Sequence, residues 1–312
     1  MAIYTDIKKE EAQTIFSEIG KIKNLEGIQE GVENTNYKVI LENNNKYILT
    51  IFEKRTKKED LPFFNQSMLE FKKNGIPCPT AIEIDKNSIF SIHNKNCSIY
   101  SFLEGRPIEN INDTALNSLS TVIAKLHDVG RVTQLKRENT MLMTSWSYIL
   151  NKFKDFNNHK FVQEIKLVSD CIYEIQDLFP KDLEKALIHA DLFPDNIFFE
   201  KNKVSGIIDF FFTCQDTVVY DLSTLINSWF FHQDFEEGNC IIFLNNYLNN
   251  TNLTKNEKEY FNFYLKVSAI RFFLTRLHDM YFNTSGEVIH KDPMEFFNIL
   301  RFHQKNNLKE LI

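Results

Sequence analysis

His189-Ala190-Asp191-Leu192-Phe193-Pro194-Asp195-Asn196, followed after a short gap by Ile207-Ile208-Asp209-Phe210, is the stretch on which the reading of the fold turns. Asp191 and Asn196 stand five positions apart on one polar loop, and Asp209 closes the next apolar strand. Phosphoryl transfer from ATP to an alcohol needs a group that orients the hydroxyl and oxygen donors that hold Mg²⁺ on the phosphates. Asp191 is the candidate catalytic base. A carboxylate is weakly basic at neutral pH, so its contribution is mainly geometric, with the proton moving late. Asn196 offers a neutral oxygen and Asp209 a charged one, both suited to a hard ion such as Mg²⁺. His189 is expected to position the loop backbone. An ordinary capped turn also collects Asp and Asn, but the spacing H-x-D-x-x-x-x-N ahead of a strand ending in Asp favours the chemical reading.

Around this loop, Ile197-Phe198-Phe199 and Ser205-Gly206-Ile207-Ile208 flank the polar turn Glu200-Lys201-Asn202-Lys203. The pattern predicts a hairpin that displays the loop and Asp209 on one edge. Helical spacing dominates the rest of this half. Leu116, Leu119, Val122, Ile123 and Leu126 recur behind Asp113 or Thr114 as a cap, and further helices are expected over 220–229, 240–248, 257–280 and 293–304. Upstream the periodicity changes. Segments 25–31, 36–41 and 46–52 read as a strand meander, 61–74 as a helix that opens with Pro62 and stops at Gly75, and 81–84 and 97–102 as strands again. The fold class expected is α+β with two lobes: a small antiparallel sheet with one helix over 1–104, and a mostly helical lobe carrying the catalytic loop and the acceptor site over 105–312.

A chain of 312 residues with 43% hydrophobic content is long and apolar enough to bury a sizeable core. A net charge of −6 argues against nucleic acid as the partner, because backbone affinity comes from clustered Lys and Arg. The N-terminus lacks the basic start and apolar core of a signal peptide, and no stretch reaches ~18 uninterrupted apolar residues, so a cytoplasmic protein without a membrane anchor is expected. The five cysteines form no Cys-x-x-Cys pair, and the eight histidines form no His-x-x-x-His pair, so neither disulfides nor a zinc site is expected. Gly27-Ile28-Gln29-Glu30-Gly31 before Val32-Glu33-Asn34-Thr35-Asn36-Tyr37 suits a phosphate-covering turn between the first two strands, although a plain Gly/Asn hairpin reads equally well and G-x-G-x-x-G is not met.

Taken together, the chain resembles the aminoglycoside-phosphotransferase-like kinases, small-molecule kinases with a protein-kinase-like two-lobe fold, and within them the branch that acts on homoserine. The resemblance rests on 30–37, Tyr47-Ile48-Leu49-Thr50-Ile51-Phe52-Glu53-Lys54-Arg55, Leu61-Pro62-Phe63-Phe64, Gly75-Ile76-Pro77-Cys78-Pro79, 189–199, Lys291-Asp292-Pro293 and Leu300-Arg301-Phe302-His303-Gln304. It implies transfer of the γ-phosphate of ATP to the side-chain hydroxyl of L-homoserine, as in threonine biosynthesis. Asp191 then takes the base position and Asn196 and Asp209 the metal positions. Gly31, Asn34, Thr35, Asn36, Thr50, Tyr100 and Phe102 fall where the nucleotide binds. Asp221 matches a family aspartate that braces the catalytic loop, and its other reading is a helix N-terminal acid favourable with the dipole.

One departure stands out. Where such kinases place a phosphate-pairing lysine or arginine on the third strand, this chain has Thr50, and the helix opening Leu61-Pro62-Phe63-Phe64 lacks the glutamate partner. Lys46 and Lys54 share the face of Thr50, but each lies ~13 Å away along an extended strand. Homoserine is a zwitterion whose carboxylate calls for an Arg and whose ammonium calls for an acid. Arg271, Arg276 and Asp279 are the helix-borne candidates, with Arg276 and Asp279 also able to form a solvent-facing i,i+3 pair. Choline, a sugar or an aminoglycoside are the alternative acceptors. A non-catalytic scaffold would have lost Asp191, Asn196 or Asp209, and a protein kinase would show Asp-Phe-Gly where Asp209-Phe210-Phe211 stands.

Overall fold

The computed structural model describes residues 5–29, 34–53, 56–154, 156, 160–282 and 290–312. These fall into two compact units. The first takes in 5–105 and Ser205–Phe211, and the second takes in Arg106–Val204, 212–282 and His290–Ile312.

The first unit opens with a short helix, α1 (Lys9–Ile15), whose start is closed by the Lys8 N–H donating to Glu11 Oε2 at 2.7 Å. Five antiparallel strands follow: β1 (Ile22–Ile28), β2 (Thr35–Leu41), β3 (Lys46–Ile51), β4 (Phe90–Ile92) and β5 (Lys95–Ser101), in the order β1-β2-β3-β5-β4. The β2–β3 register pairs Thr35 with Ile51 and Asn36 with Thr50, and the β3–β5 register pairs Thr50 with Ser98. Because side chains alternate along a strand, Tyr37, Val39, Leu49, Ile51, Cys97 and Ile99 share one face and pack with Ala12, Ile15 and Phe16 of α1. Asn36, Lys38, Thr50 and Tyr100 stand on the other. The helix expected over 61–74 is α2 (Leu61–Lys73), with Pro62 in its first turn. Its end is fixed by Gly75 at φ 80°, which lets the N–H of Ile76 reach back to the carbonyl of Phe71 at 3.0 Å.

Two expectations for this unit need correction: it holds two helices, α1 and α2, where one is expected, and the strand predicted over 81–84 is not formed. Ala81 makes an isolated bridge to Tyr100 and Ile84 one to Asn87, because Asp85 and Lys86 turn the chain back at positive φ. The edge strand β4 and helix α1 are too short for either periodicity to show.

The second unit is mostly helical: α3 (Asp113–Val132), α4 (Met143–Lys154), α5 (Val162–Ile175), α6 (Val218–Trp229), α7 (Glu237–Asn250), α8 (Lys255–Glu259), α9 (Phe261–Phe282) and α10 (Pro293–Lys305). The cap of α3 is Asn112, whose side chain accepts from the Ala115 N–H at 3.0 Å, not Asp113 or Thr114. The single helix expected over 257–280 is two, α8 and α9, parted at Tyr260. Every residue of α6 is buried, its Asp221, Thr224, Asn227 and Ser228 side chains each meeting a hydrogen-bond partner, and α9 packs against both α6 and α10. A short strand, β6 (Ala186–Ile188), pairs antiparallel with β9 (Cys214–Asp216) and delivers the chain into the 189–196 loop. A Cβ on Gly130 would meet the Leu187 carbonyl oxygen at 2.1 Å, so only glycine lets α3 lie this close to β6. The predicted hairpin is present as β7 (Ile197–Glu200) and β8 (Lys203–Ile207), turned by Lys201 and Asn202 at φ 48° and 63°. Positive φ at both central residues marks the type I′ turn that suits strand twist.

All five cysteines are buried thiols, and burial pushes those of Cys78 and Cys97 up to about 12. Among the described residues no helix is long and apolar enough to cross a membrane.

Candidate active site

The loop after β6 is held in an uncommon shape. Ala190 lies at φ 65°, a region a non-glycine residue enters at a cost of about 1 kcal/mol or more unless its surroundings enforce it. The enforcement comes from both sides of the residue. Asp221, fully buried in the first turns of α6, accepts the Ala190 N–H on Oδ1 at 2.7 Å and the His189 N–H on Oδ2 at 2.9 Å. Arg271 of α9 donates through Nη1 to the Ala190 carbonyl and, at 2.9 Å, to the Tyr220 hydroxyl. Of the two readings of Asp221, the contacts support the brace. His127 of α3 contacts Asp221 Oδ2 through Nε2 at 3.3 Å and Tyr247 OH through Nδ1 at 2.8 Å, so a chain of buried polar groups from α3 and α7 backs the loop.

Asp191 follows directly. Its N–H donates to His189 Nδ1 at 3.2 Å, which agrees with the positioning role expected of His189. Asn196 donates through Nδ2 to the Asp191 carbonyl at 2.8 Å and to Asp191 Oδ2 at 3.0 Å. The Asn196 side-chain nitrogen is thus committed within the loop, which fixes its amide against Asp191. The loop base is fixed further by Ser228 Oγ and Trp229 Nε1, which donate to the Leu192 carbonyl at 3.2 and 3.1 Å. The ring of Phe193 lies 4.7 Å from that of Phe272 and 5.9 Å from that of Phe296, with Lys291 Nζ 5.1 Å from its centroid. Lys291 also pairs with Asp195 at 2.7 Å.

The acceptor candidates differ in how much of each is already used. Arg271 is 2% exposed, and its Nη2 lies 3.9 Å from Asp191 Oδ1. Burial works to lower its pKa, but the Tyr220 hydroxyl and the Asp191 carboxylate more than offset this and hold it above the ordinary arginine value. Arg276 gives Nη1 to the Asp292 carbonyl at 3.1 Å and to Glu295 Oε2 at 2.6 Å, so its charge partner is on α10 and not the i+3 Asp279. Asp279 keeps a quarter of its side chain exposed, 3.6 Å from His278 Nδ1.

Asp209 belongs to the first unit. It lies at φ 63° and is followed by Phe210 and Phe211, which anchor it in that unit's core. Phe210 packs 5.7 Å from Phe71 of α2, and Phe211 packs 5.1 Å from Phe52, 5.8 Å from Phe64 and 6.1 Å from Tyr100. Burying Phe210 contributes roughly 2 kcal/mol, enough to hold one strained backbone angle.

Of the candidate nucleotide residues, Gly31 lies outside the described residues. Asn34 and Thr35 are buried at the start of β2; Asn36 accepts from Thr50 Oγ1 at 2.7 Å on the face that also carries Tyr100. The Tyr100 hydroxyl donates to Asn65 Oδ1 at 2.8 Å, and burial raises its pKa. Phe102 lies between two lysines, Lys38 and Lys46, at 5.3 and 5.2 Å from its centroid, and Lys46 pairs with Glu104 at 2.7 Å. Another lysine–glutamate pair of this unit joins Lys95 at the start of β5 to Glu53 just past β3.

Among the described residues no three His, Cys, Asp or Glu side chains gather around a common point. A nucleotide-borne Mg²⁺ does not need such a cluster, because phosphate oxygens and water fill most of its octahedron and one amide and one carboxylate suffice from the protein. Asn196 supplies an amide and Asp209 a carboxylate, the donor types such an ion takes.

A family model described as "Phosphotransferase enzyme family" matches residues 24–244. Curated relatives run the length of the chain: homoserine kinase of Rhizobium meliloti is 33% identical over 97% of this chain and 95% of its own. Homoserine kinase of Brucella anthropi is 34% identical over 98% and 95%, and that of Paramagnetospirillum magneticum 34% over 97% of both. Among solved structures, a spectinomycin phosphotransferase bound to ADP and spectinomycin superposes with a TM-score of 0.69 at 15% identity, covering 98% of both chains. An amicoumacin kinase bound to AMP-PNP and Ca²⁺ superposes at 0.67 and 14%, covering 97% of this chain and 94% of its own. At those identities the structures speak for the fold: an antiparallel sheet unit followed by a mostly helical one.

Proposed function

The chain belongs to the phosphotransferase enzyme family, and on that premise we propose that it is an ATP-dependent kinase that phosphorylates the side-chain hydroxyl of L-homoserine to give O-phospho-L-homoserine. The observation that carries the acceptor assignment is the set of homoserine kinases at 33–34% identity whose similarity spans 97–98% of the chain. An amino-acid biosynthetic enzyme of this kind would act in the cytoplasm.

The residues divide the work as follows. Asp191 orients the homoserine hydroxyl for in-line attack and accepts its proton as the bond to phosphorus forms. Arg271, 3.9 Å from that carboxylate, fixes the loop on which it sits through its bond to the Ala190 carbonyl. Mg²⁺ held by Asn196 and Asp209 would neutralise charge on the phosphates. Asn34, Thr35, Asn36 and Thr50 serve the phosphate end of the nucleotide, and Tyr100 and Phe102 the adenine end. For the zwitterionic acceptor, Asp279 has the exposure to meet the ammonium. Arg276 retains Nη2 and Nε for the carboxylate after committing Nη1 to the protein.

Changing Asp191 to Asn keeps the shape and removes the proton acceptor. Homoserine-dependent ADP release should fall by about 10³-fold, while ATP affinity and the unfolding midpoint stay near those of the wild type. A variant that keeps near wild-type turnover would take Asp191 out of the mechanism.

A further inference from the structure

Glu53 lies two residues past the end of β3, outside every group so far assigned to chemistry, yet more bonds converge on it than on any surface carboxylate need. Because Ile51 pairs with Thr35, the chain leaving β3 passes the start of β2. There the Glu53 N–H donates to Asn34 Oδ1 at 3.4 Å, and Glu53 Oε1 accepts from Thr35 Oγ1 and from Thr5 Oγ1, both at 2.7 Å. Glu53 Oε2 pairs with Lys95, whose Nζ also donates to Thr5 Oγ1 at 2.7 Å, and the Thr5 N–H donates to Thr35 Oγ1 at 3.2 Å. The glutamate side chain is 8% exposed, and Thr5, Asn34 and Thr35 are all buried. Burial works to raise its pKa, but the bonds from Lys95, Thr35 and Thr5 outweigh it and keep the carboxyl ionised.

A buried ion pair is a poor way to gain stability, since apolar side chains of similar size serve as well or better. What this one provides is fixed geometry at two named residues. Asn34 and Thr35 are the first described residues after the β1–β2 connection, and each is tied to Glu53, one through its backbone and one through its carboxylate. We propose that Glu53 is a positioning residue for the phosphates of a bound nucleoside di- or triphosphate, acting by holding Asn34 and Thr35 in place at the head of β2. The inference rests on the kinase reading for its ligand, but not on which alcohol is phosphorylated.

The test is equilibrium binding of ATP, ADP and adenosine, each with Mg²⁺, to the unaltered protein and to Glu53→Gln and Thr5→Val, alongside KM for ATP and kcat. Glu53→Gln keeps the shape and loses the charge that holds Lys95; Thr5→Val keeps the shape and loses the hydroxyl that donates to Glu53 and accepts from Lys95. For both variants, ATP and ADP should bind about tenfold more weakly, the worth of one charge-assisted hydrogen bond. Adenosine affinity and kcat should hold within a factor of about two, and the KM for ATP should rise with the dissociation constant. Unchanged ATP affinity in both variants, or an equal loss for adenosine, would overturn the proposal, as would a wild-type protein that binds no ATP. If Glu53→Gln does not fold, Thr5→Val decides alone. A wild-type protein that binds ATP but leaves homoserine untouched would remove the acceptor assignment and leave this inference to be judged on its own binding data.

Discussion

Asp221 accepts the Ala190 N–H at 2.7 Å on one carboxylate oxygen while the other takes the His189 N–H at 2.9 Å, and Ala190 is held at φ 65° between this clamp and Arg271. A residue thirty-one positions away therefore sets the direction in which Asp191 leaves the loop. Changing Asp221 to Asn swaps an acceptor for a donor that must face a backbone N–H. We expect a loss of about 2–3 kcal/mol in stability, from one buried donor left unmet. Turnover should fall about tenfold or more as Asp191 loses its alignment. Urea unfolding read beside kcat checks both.

Arg271 is the second half of the clamp. Changing it to Met preserves the bulk beside Phe272, 4.4 Å from the guanidinium, but frees the Ala190 carbonyl and removes the positive charge 3.9 Å from Asp191. The expected result is a drop of about 10²-fold in kcat with a small change in the KM for ATP. A change confined to the KM for homoserine would mean that Arg271 binds the acceptor and does not hold the loop.

Metal dependence should follow from the donor set. Removing divalent cations with EDTA should abolish homoserine-dependent ADP release, and added Mg²⁺ should restore it. Asn196→Ala should raise the Mg²⁺ concentration for half-maximal rate by about tenfold or more. An equal rate in EDTA would exclude Asn196 and Asp209 from metal binding.

His303 on α10 carries a pH dependence of stability. Burial depresses its pKa from 6.5 to about 3, while Nε2 lies 2.8 Å from Asn227 Oδ1. In the unfolded chain the imidazole binds a proton below about 6.5, and in the folded protein only below about 3. The unfolded state therefore holds more protons in between, and stability must fall as pH drops through that window. Between pH 7 and pH 5 the loss is about 2 kcal/mol. His303→Gln, which can still donate to Asn227, should flatten that slope in chemical denaturation, and an unchanged slope would assign the pH effect elsewhere.

The sequence shows what is local and hides what is assembled. Asp191, Asn196 and Asp209 are readable because their chemistry needs a fixed spacing along one loop and one strand. The type I′ turn at Lys201 and Asn202 and the helix start at Pro62 are readable because turn and cap chemistry acts within a few residues. His127 and Tyr247 are not readable, since their partners lie 94 and 120 residues away and meet only after α3 and α7 pack. Arg271 can be picked out by type as a cation near the site, but its commitment to the Ala190 carbonyl depends on how α9 lies against α6. Glu53 is part of a quoted segment, yet its meaning comes from Thr5, Thr35 and Lys95, which reach it from 48, 18 and 42 positions away.

The most direct test is the rate of ADP release from Mg²⁺-ATP with L-homoserine, L-serine, choline, methylthioribose and kanamycin offered one at a time. The account predicts that kcat/KM for L-homoserine exceeds that for every other acceptor by about 10²-fold or more, because the proposed acceptor site offers an arginine and an acid to a zwitterion, and L-serine, the other zwitterion offered, carries its hydroxyl one methylene closer to its charged groups. Selective turnover of choline, methylthioribose or kanamycin, with homoserine inert, would contradict it.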